Sequence, residues 1–171
     1  MGSKDNVFVM GMSPERAWQI SRTIEVQKEV QPKSVLEVGF PRMRESILDI
    51  WTDALVETVD PYVPQATHVV MMENFKPQRR YDLVHMGSVL DYFADPIRAL
   101  RVATECSDYL LLTGRLNTYT HHTFRCAFLV PTVGWVETRL RPMMGMEDAE
   151  PRYFGSQMFS INGKMKWVGY D

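Results

Sequence analysis

The residues best placed to do chemistry are a few acids and one glycine at the ends of short apolar runs. Ser34 to Phe40 reads S-V-L-E-V-G-F, a run too short for a helix that carries Glu37 and turns at Gly39. A second run, V-E-T-V-D-P, closes on Asp60 and is stopped by Pro61. Strand, helix and strand, with an acid about twenty residues beyond the glycine, is an arrangement that holds a nucleoside: the first turn meets the ligand's charged end and the acid accepts from ribose hydroxyls. His121 and His122 follow the last buried run and are candidate general bases, since an imidazole near its ordinary pKa can take a hydroxyl proton. Two adjacent histidines on a polar stretch are equally a solvated surface. His85 and His68 fall inside apolar runs and read as hydrogen-bonded structural residues. Cys106 and Cys126 have neither metal-ligand spacing nor disulfide density, so both read as core thiols in a reducing compartment, and no metal site is expected.

The elements that must position these groups follow from periodicity. Ser13 and Pro14 open a helix predicted over about Pro14 to Val30, with Ala17, Ile20, Ile24 and Gln27 on one face. Ile47, Leu48, Ile50, Trp51 and Leu55 predict a second helix over about Met43 to Leu55. A third strand is expected at Thr67 to Met72, a fourth at Tyr81 to Met86 and a fifth at Asp108 to Thr113. Asp95-Pro96 begins a helix between the last two. The remainder alternates less cleanly, and Asn162-Gly163 is a hairpin-turn signal that predicts a closing antiparallel strand pair. Strands alternating with helices define an α/β fold: a doubly wound, mostly parallel sheet with an antiparallel C-terminal strand pair. The organisation is one domain. Residues 1–32 form an N-terminal helical segment, 33–115 a cofactor-binding half and 116–171 a substrate-side half.

Composition narrows the partners. The chain has 171 residues, 45% of them hydrophobic, and a formal net charge of -2. That is enough for a full core, without the basic surface a nucleic acid or anionic membrane requires. No apolar run reaches the ~20 residues of a spanning helix, and no secretory pattern opens the sequence, so a cytoplasmic location is expected. The implied partner is a small molecule. Nothing long is inserted after the fifth strand, so a substrate cap is minimal and a second protomer or a partner subunit would complete the pocket.

The run V-L-E-V-G-F, then V-E-T-V-D-P, then Y-D-L-V-H-M-G-S-V-L-D-Y-F-A-D-P-I-R-A-L-R-V-A, then D-Y-L-L-L resembles the class I S-adenosylmethionine-dependent methyltransferases over about Ser34 to Leu112. The stretch Tyr81 to Ala103 is its most specific part. The resemblance implies a Rossmann-like fold, S-adenosylmethionine as cofactor, and methyl transfer to a small-molecule or sugar-linked acceptor, with oxygen as a candidate acceptor atom. It assigns Glu37, Gly39 and Phe40 to the amino-acid part of the cofactor and Asp60 to the ribose. Pro61, Tyr62, Glu73 and Asn74 fall beside the adenine, and Met86 and Gly87 at the wall formed by the fourth strand. The first motif departs from the family's glycine-rich form: E-V-G-F-P-R-M-R has Pro41 and Met43 where later glycines fall. That departure supports an alternative reading, a catalytically inactive binding or assembly module on the same fold. A nicotinamide-dependent oxidoreductase would need G-x-G-x-x-G after the first strand, which this sequence lacks.

Overall fold

Four apolar runs set the centre of the molecule. The computed structural model describes residues 14–40 and 47–117, and strands at 123–131, 140–142, 152–154, 157–161 and 166–170. Strands β1 (Ser34–Val38), β2 (Leu55–Val59), β3 (Tyr81–Gly87) and β4 (Ser107–Asn117) lie parallel in the order β2-β1-β3-β4. Side chains alternate across the sheet. Leu36, Val38, Val84, Met86, Leu110 and Leu112 pack on one face with Ala99, Leu100 and Ala103 of helix α2 (Pro96–Glu105). Val35, Leu83 and Leu111 pack on the other face with Val26 of helix α1 (Pro14–Val30) and with Trp51. The two faces together make the sheet doubly wound. At the start of α2, Asp95 Oδ1 accepts from the Arg98 N–H at 3.0 Å and Pro96 occupies the first turn, a cap that contributes ~1 kcal/mol.

Three expectations are corrected. The buried stripe of α1 is Gln19, Thr23 and Val26 rather than the apolar row Ala17, Ile20 and Ile24. The two polar members can be buried because each has a partner: Thr23 donates to the Gln19 carbonyl at 2.9 Å, and the Gln19 amide to the Ser88 hydroxyl at 2.5 Å. The helix predicted up to Leu55 is, among the described residues, only a 3₁₀ turn at Ile47–Ile50, since Leu55 opens β2 and its N–H donates to the Lys33 carbonyl at 2.8 Å. The strand predicted at Thr67 to Met72 is reduced to a single parallel bridge, Val59 to His68. There the Thr67 and Thr58 side chains exchange hydrogen bonds with each other's backbone N–H groups, which takes over the work of a ladder.

Beyond the parallel strands the sheet continues antiparallel. Strand β5 (Thr123–Pro131) lies along β4 from Tyr109 to Asn117, and β9 (Lys166–Tyr170) lies along β5. Strands β6 (Leu140–Pro142), β7 (Arg152–Phe154) and β8 (Gln157–Ile161) form a separate run, β7-β8-β6, attached to the end of β4. The closing pair predicted across Asn162-Gly163 is not made: β8 pairs with β7 and β6, whereas β9 pairs with β5. The expected division between the two halves of the domain, after residue 115, falls within β4. Among the described residues no helix is long and apolar enough to cross a membrane.

The outer side of β2 is held by a polar cluster. Glu57 Oε2 accepts from the Tyr81 hydroxyl at 2.7 Å and pairs with His68 Nε2 at 2.7 Å, while Oε1 meets Arg79 Nε at 3.3 Å. Burial pushes the Glu57 carboxyl upward, but the hydrogen bonds from Tyr81 and His68 and the charge of Arg79 outweigh it and leave the carboxyl below its ordinary value of 4.5. Burial also pushes the Cys106 thiol up to about 12, which leaves it inert at neutral pH. A carboxyl held lower in the folded than in the unfolded state stabilises above its unfolded value, and that stability is lost as pH falls through the folded value. The protein should therefore lose stability as pH falls below 4.5. Glu57→Gln should flatten that loss in denaturant titrations run at a series of acidic pH values.

Candidate functional site

The strand order reverses between β1 and β3, and open α/β sheets bind ligands beside such a point, outside the carboxyl ends of the strands. A cavity of about 380 Å³ lies there. Gly39 and Phe40 follow β1 into it; Asp60, Pro61 and Tyr62 follow β2; Met71 and Met72 close one side, and Val89, Tyr92 and Phe93 the other. Tyr62 and Tyr92 are 74% and 77% exposed, so two open aromatic faces stand in the cavity wall.

Asp60 ties the turns together. Its Oδ2 accepts from the Phe40 N–H at 2.9 Å, and its Oδ1 from the N–H groups of Tyr62 at 2.7 Å and Val63 at 3.1 Å. A carboxylate offers about four acceptor sites. Three are taken by backbone, which leaves one on Oδ2 for a ligand hydroxyl. Gly39 has φ +91°, a conformation side chains rarely adopt, and a Cβ there would stand 3.0 Å from Val89 Cγ1. Its N–H donates to the Val59 carbonyl at 2.8 Å, which continues the β1 pairing with β2 into the turn.

Beside the cavity, on the α1 face of the sheet, lies a buried polar chain. Trp51 Nε1–H donates to Glu37 Oε2 at 3.2 Å; Glu37 Oε1 pairs with His85 Nδ1 at 2.7 Å; His85 Nε2 meets the Thr113 hydroxyl at 2.9 Å. None of the four residues is more than 3% exposed. A carboxylate only accepts, so Nδ1 carries a proton, and in the neutral ring Nε2 accepts from Thr113. The chain joins β1, β3 and β4 at their carboxyl ends. It also explains Gly87, where a Cβ would meet the His85 ring at 3.0 Å and the Thr113 hydroxyl at 3.2 Å.

Of the residues singled out from sequence, Gly39, Phe40, Asp60, Pro61 and Tyr62 come together in the cavity wall. Glu37 faces away from it, bound to Trp51 and His85. Met86 packs in the α2-side core, and Gly87 makes room for the His85 ring. Glu73 is buried: Oε1 accepts from the Ala94 N–H at 3.3 Å, and Oε2 has no hydrogen-bond partner among the described residues. Asn74 is exposed. His121 and His122 lie outside the described residues. The sequence reading missed Val89, Tyr92 and Phe93 as cavity residues. Their signal was the turn between β3 and α2, G-S-V-L-D-Y-F, whose apolar and aromatic side chains cannot all be covered by so short a segment.

Two solved structures resemble this arrangement. The N-methyltransferase NodS from Bradyrhizobium japonicum WM9 in complex with S-adenosyl-L-homocysteine superposes with TM-score 0.53 at 13% identity, covering 65% of this chain and 67% of that one. A second structure of NodS gives TM-score 0.51 at 13% identity over 61% and 71%. The chain thus has the fold of the class I S-adenosylmethionine-dependent methyltransferases. No protein-family model and no curated protein sequence matches it.

The polar chain and the cavity should separate by mutation. His85→Leu strands the buried Glu37 carboxylate and should cost roughly 3 kcal/mol of stability in urea unfolding, with no change in the contents of the cavity wall. Gly39→Ala should destabilise less and instead displace Val89. Comparison of the two variants by urea titration and by side-chain methyl NMR of Val89 checks both outcomes.

Proposed function

We propose that the chain is an S-adenosylmethionine-dependent methyltransferase acting on a small-molecule or sugar-linked acceptor, with oxygen as the acceptor atom. The observation that carries this reading is the cavity at the strand-order reversal, with Gly39 and Asp60 on its floor and apolar walls above them. Its residues suit a nucleoside: Oδ2 of Asp60 keeps one acceptor site for a ribose hydroxyl, and Met71, Met72, Val89 and Phe93 offer apolar surface to a base. Phe40 and the turn after β1 would meet the amino-acid end. When bound, S-adenosylmethionine supplies an electrophilic methyl group on a sulfonium.

The protein's part in such a displacement is alignment and exclusion of water. Gly39 sets the direction of the first turn, Asp60 holds that turn against the one after β2, and the Glu37–His85–Thr113 chain fixes the strands from which both turns depart. His121 or His122 serves as general base for a hydroxyl acceptor, a role worth ~10²–10⁴-fold. The binding-module alternative is favoured by one observation: Asp60 spends three hydrogen bonds on its own backbone, so it gives a ligand one contact where a wholly free carboxylate would give more.

Calorimetric titration with S-adenosylmethionine and S-adenosylhomocysteine decides between them. Binding at micromolar concentration is expected, weakened about tenfold in Asp60→Asn, which keeps the carbonyl that accepts from Tyr62 and Val63 but removes the charge. Asp60→Ala is the wrong control, because it would leave three backbone N–H groups unpaired and cost ~3 kcal/mol of stability. No heat up to millimolar ligand would favour the binding module.

A further inference from the structure

The turn after β3 opens on a strained residue. Among the described residues other than glycine, only Gln31 and Ser88 have a positive φ, +47° and +54°. Gln31 directly follows α1, and a left-handed residue is an ordinary way for a helix to end. Ser88 directly follows β3, where that reason does not apply, and a serine is disfavoured in this conformation because its Cβ crowds the backbone. Strain of this kind persists only where the surroundings fix the backbone, and it gathers at functional sites. Three ties fix Ser88. Its N–H donates to the Thr113 carbonyl at 2.7 Å, which carries the β3–β4 pairing one residue past Gly87. Gly87, just before it, lies so close to the His85 ring and the Thr113 hydroxyl that a Cβ would meet them at 3.0 and 3.2 Å. The Ser88 hydroxyl accepts from the Gln19 amide at 2.5 Å, and Gln19 is a residue of α1 only 4% exposed.

We propose that Gln19 and Ser88 are positioning residues, through which α1 sets the cavity wall formed by Val89, Tyr92 and Phe93. A left-handed residue turns the chain sharply, and here it delivers Val89 onto the turn that follows β1: a Cβ on Gly39 would stand 3.0 Å from Val89 Cγ1. The two turns that meet at the strand-order reversal thus both open on a positive φ, +91° at Gly39 and +54° at Ser88. Glycine adopts that conformation freely, whereas Ser88 has to be held in it. The Val89 carbonyl then accepts from the Tyr92 N–H at 3.0 Å, which starts the 3₁₀ turn Leu90–Tyr92 and brings Tyr92 and Phe93 to the cavity. The direction of the whole wall therefore depends on one backbone angle, and the only side chain tie on that angle comes from α1 among the described residues. The exposed Ser88 hydroxyl could be satisfied by water as well, so the buried Gln19 amide is not explained by the needs of Ser88 alone. Its consequence is a fixed wall. That the wall receives S-adenosylmethionine rests on the methyl-transfer reading above; that Gln19 and Ser88 place it does not.

The test uses the full chain and three variants: Gln19→Leu, which removes the tie; Ser88→Gly, which removes both tie and strain; and Ser88→Asn, which tolerates the left-handed conformation and keeps an acceptor for the Gln19 amide. Each is followed by side-chain methyl NMR of Val89 without ligand, by urea unfolding, and by calorimetric titration with S-adenosylhomocysteine. In Gln19→Leu and Ser88→Gly the Val89 methyl signals should move, and S-adenosylhomocysteine should bind about fivefold more weakly, as expected where the placed wall is populated about one fifth of the time. Gln19→Leu should nevertheless unfold at a urea concentration no lower than the parent's, because the Ser88 hydroxyl it frees is exposed to water. Ser88→Asn should restore the parent's Val89 signals and affinity. Should Gln19→Leu fail to fold, Ser88→Gly, at an exposed residue, carries the comparison with Ser88→Asn. The proposal is overturned if the Val89 signals stay where they are in the parent, if affinity and stability fall together in Gln19→Leu, if the variants bind S-adenosylhomocysteine as tightly as the parent does, or if Ser88→Asn behaves as Ser88→Gly. Val89 signals that move in Gln19→Leu and Ser88→Gly and return in Ser88→Asn, with no heat from S-adenosylhomocysteine in the parent, would keep the placement of the wall and overturn the methyl-transfer reading alone.

Discussion

The contact between Glu37 and His85 is the constraint around which the site is assembled. Two ionisable side chains buried side by side are costly unless every polar atom finds a partner. Here Trp51 satisfies the second carboxylate oxygen and Thr113 the second ring nitrogen. That requirement reaches far along the chain. It pins Trp51 against the sheet, so the connection from β1 to β2 turns sharply after Ile50. It also forbids a side chain at Gly87. The carboxyl ends of β1, β3 and β4 are thereby fixed relative to one another before any ligand is considered.

Asp60 does for the turns what Glu37 does for the strands. By accepting from Phe40, Tyr62 and Val63 it orders the floor of the cavity without glycines at positions 41 and 43. A flexible glycine loop would let the backbone approach a ligand closely, at a cost in conformational entropy. A carboxylate-tied turn is already ordered, but it has fewer acceptor sites left to offer. The end of β4 beyond its pairing with β3 carries the small antiparallel sheet β7-β8-β6.

How much of this was legible depended on the range of the interactions. The runs Val35–Val38, Val56–Val59 and Tyr81–Met86 announced themselves because a strand covered on both faces is rich in valine and leucine, and each run is short and bounded by turn residues. Asp95-Pro96 was legible because a helix cap is a local event. The stripe Gln19, Thr23 and Val26 was not, because its polar members depend on a carbonyl one turn away and on Ser88, far along the chain. The segment Thr67 to Met72 carried strand-forming residues, but its side chains bonded to Thr58 in place of a ladder. Asn162-Gly163 is a local signal for a hairpin, yet the strands on either side of it found partners elsewhere.

The sequence by itself determined the parallel core, the two faces of the sheet, and the placement of Gly39 and Asp60 at the ends of their strands. These follow from residue type and spacing over distances of a few residues. Only the tertiary structure decided that Glu37 bonds to Trp51 and His85, that Tyr92 and Phe93 join the cavity wall, and that β7 pairs with the end of β4. Each of these depends on which side chains meet across non-neighbouring segments, and a buried acid is spent on whichever donor the fold brings within reach.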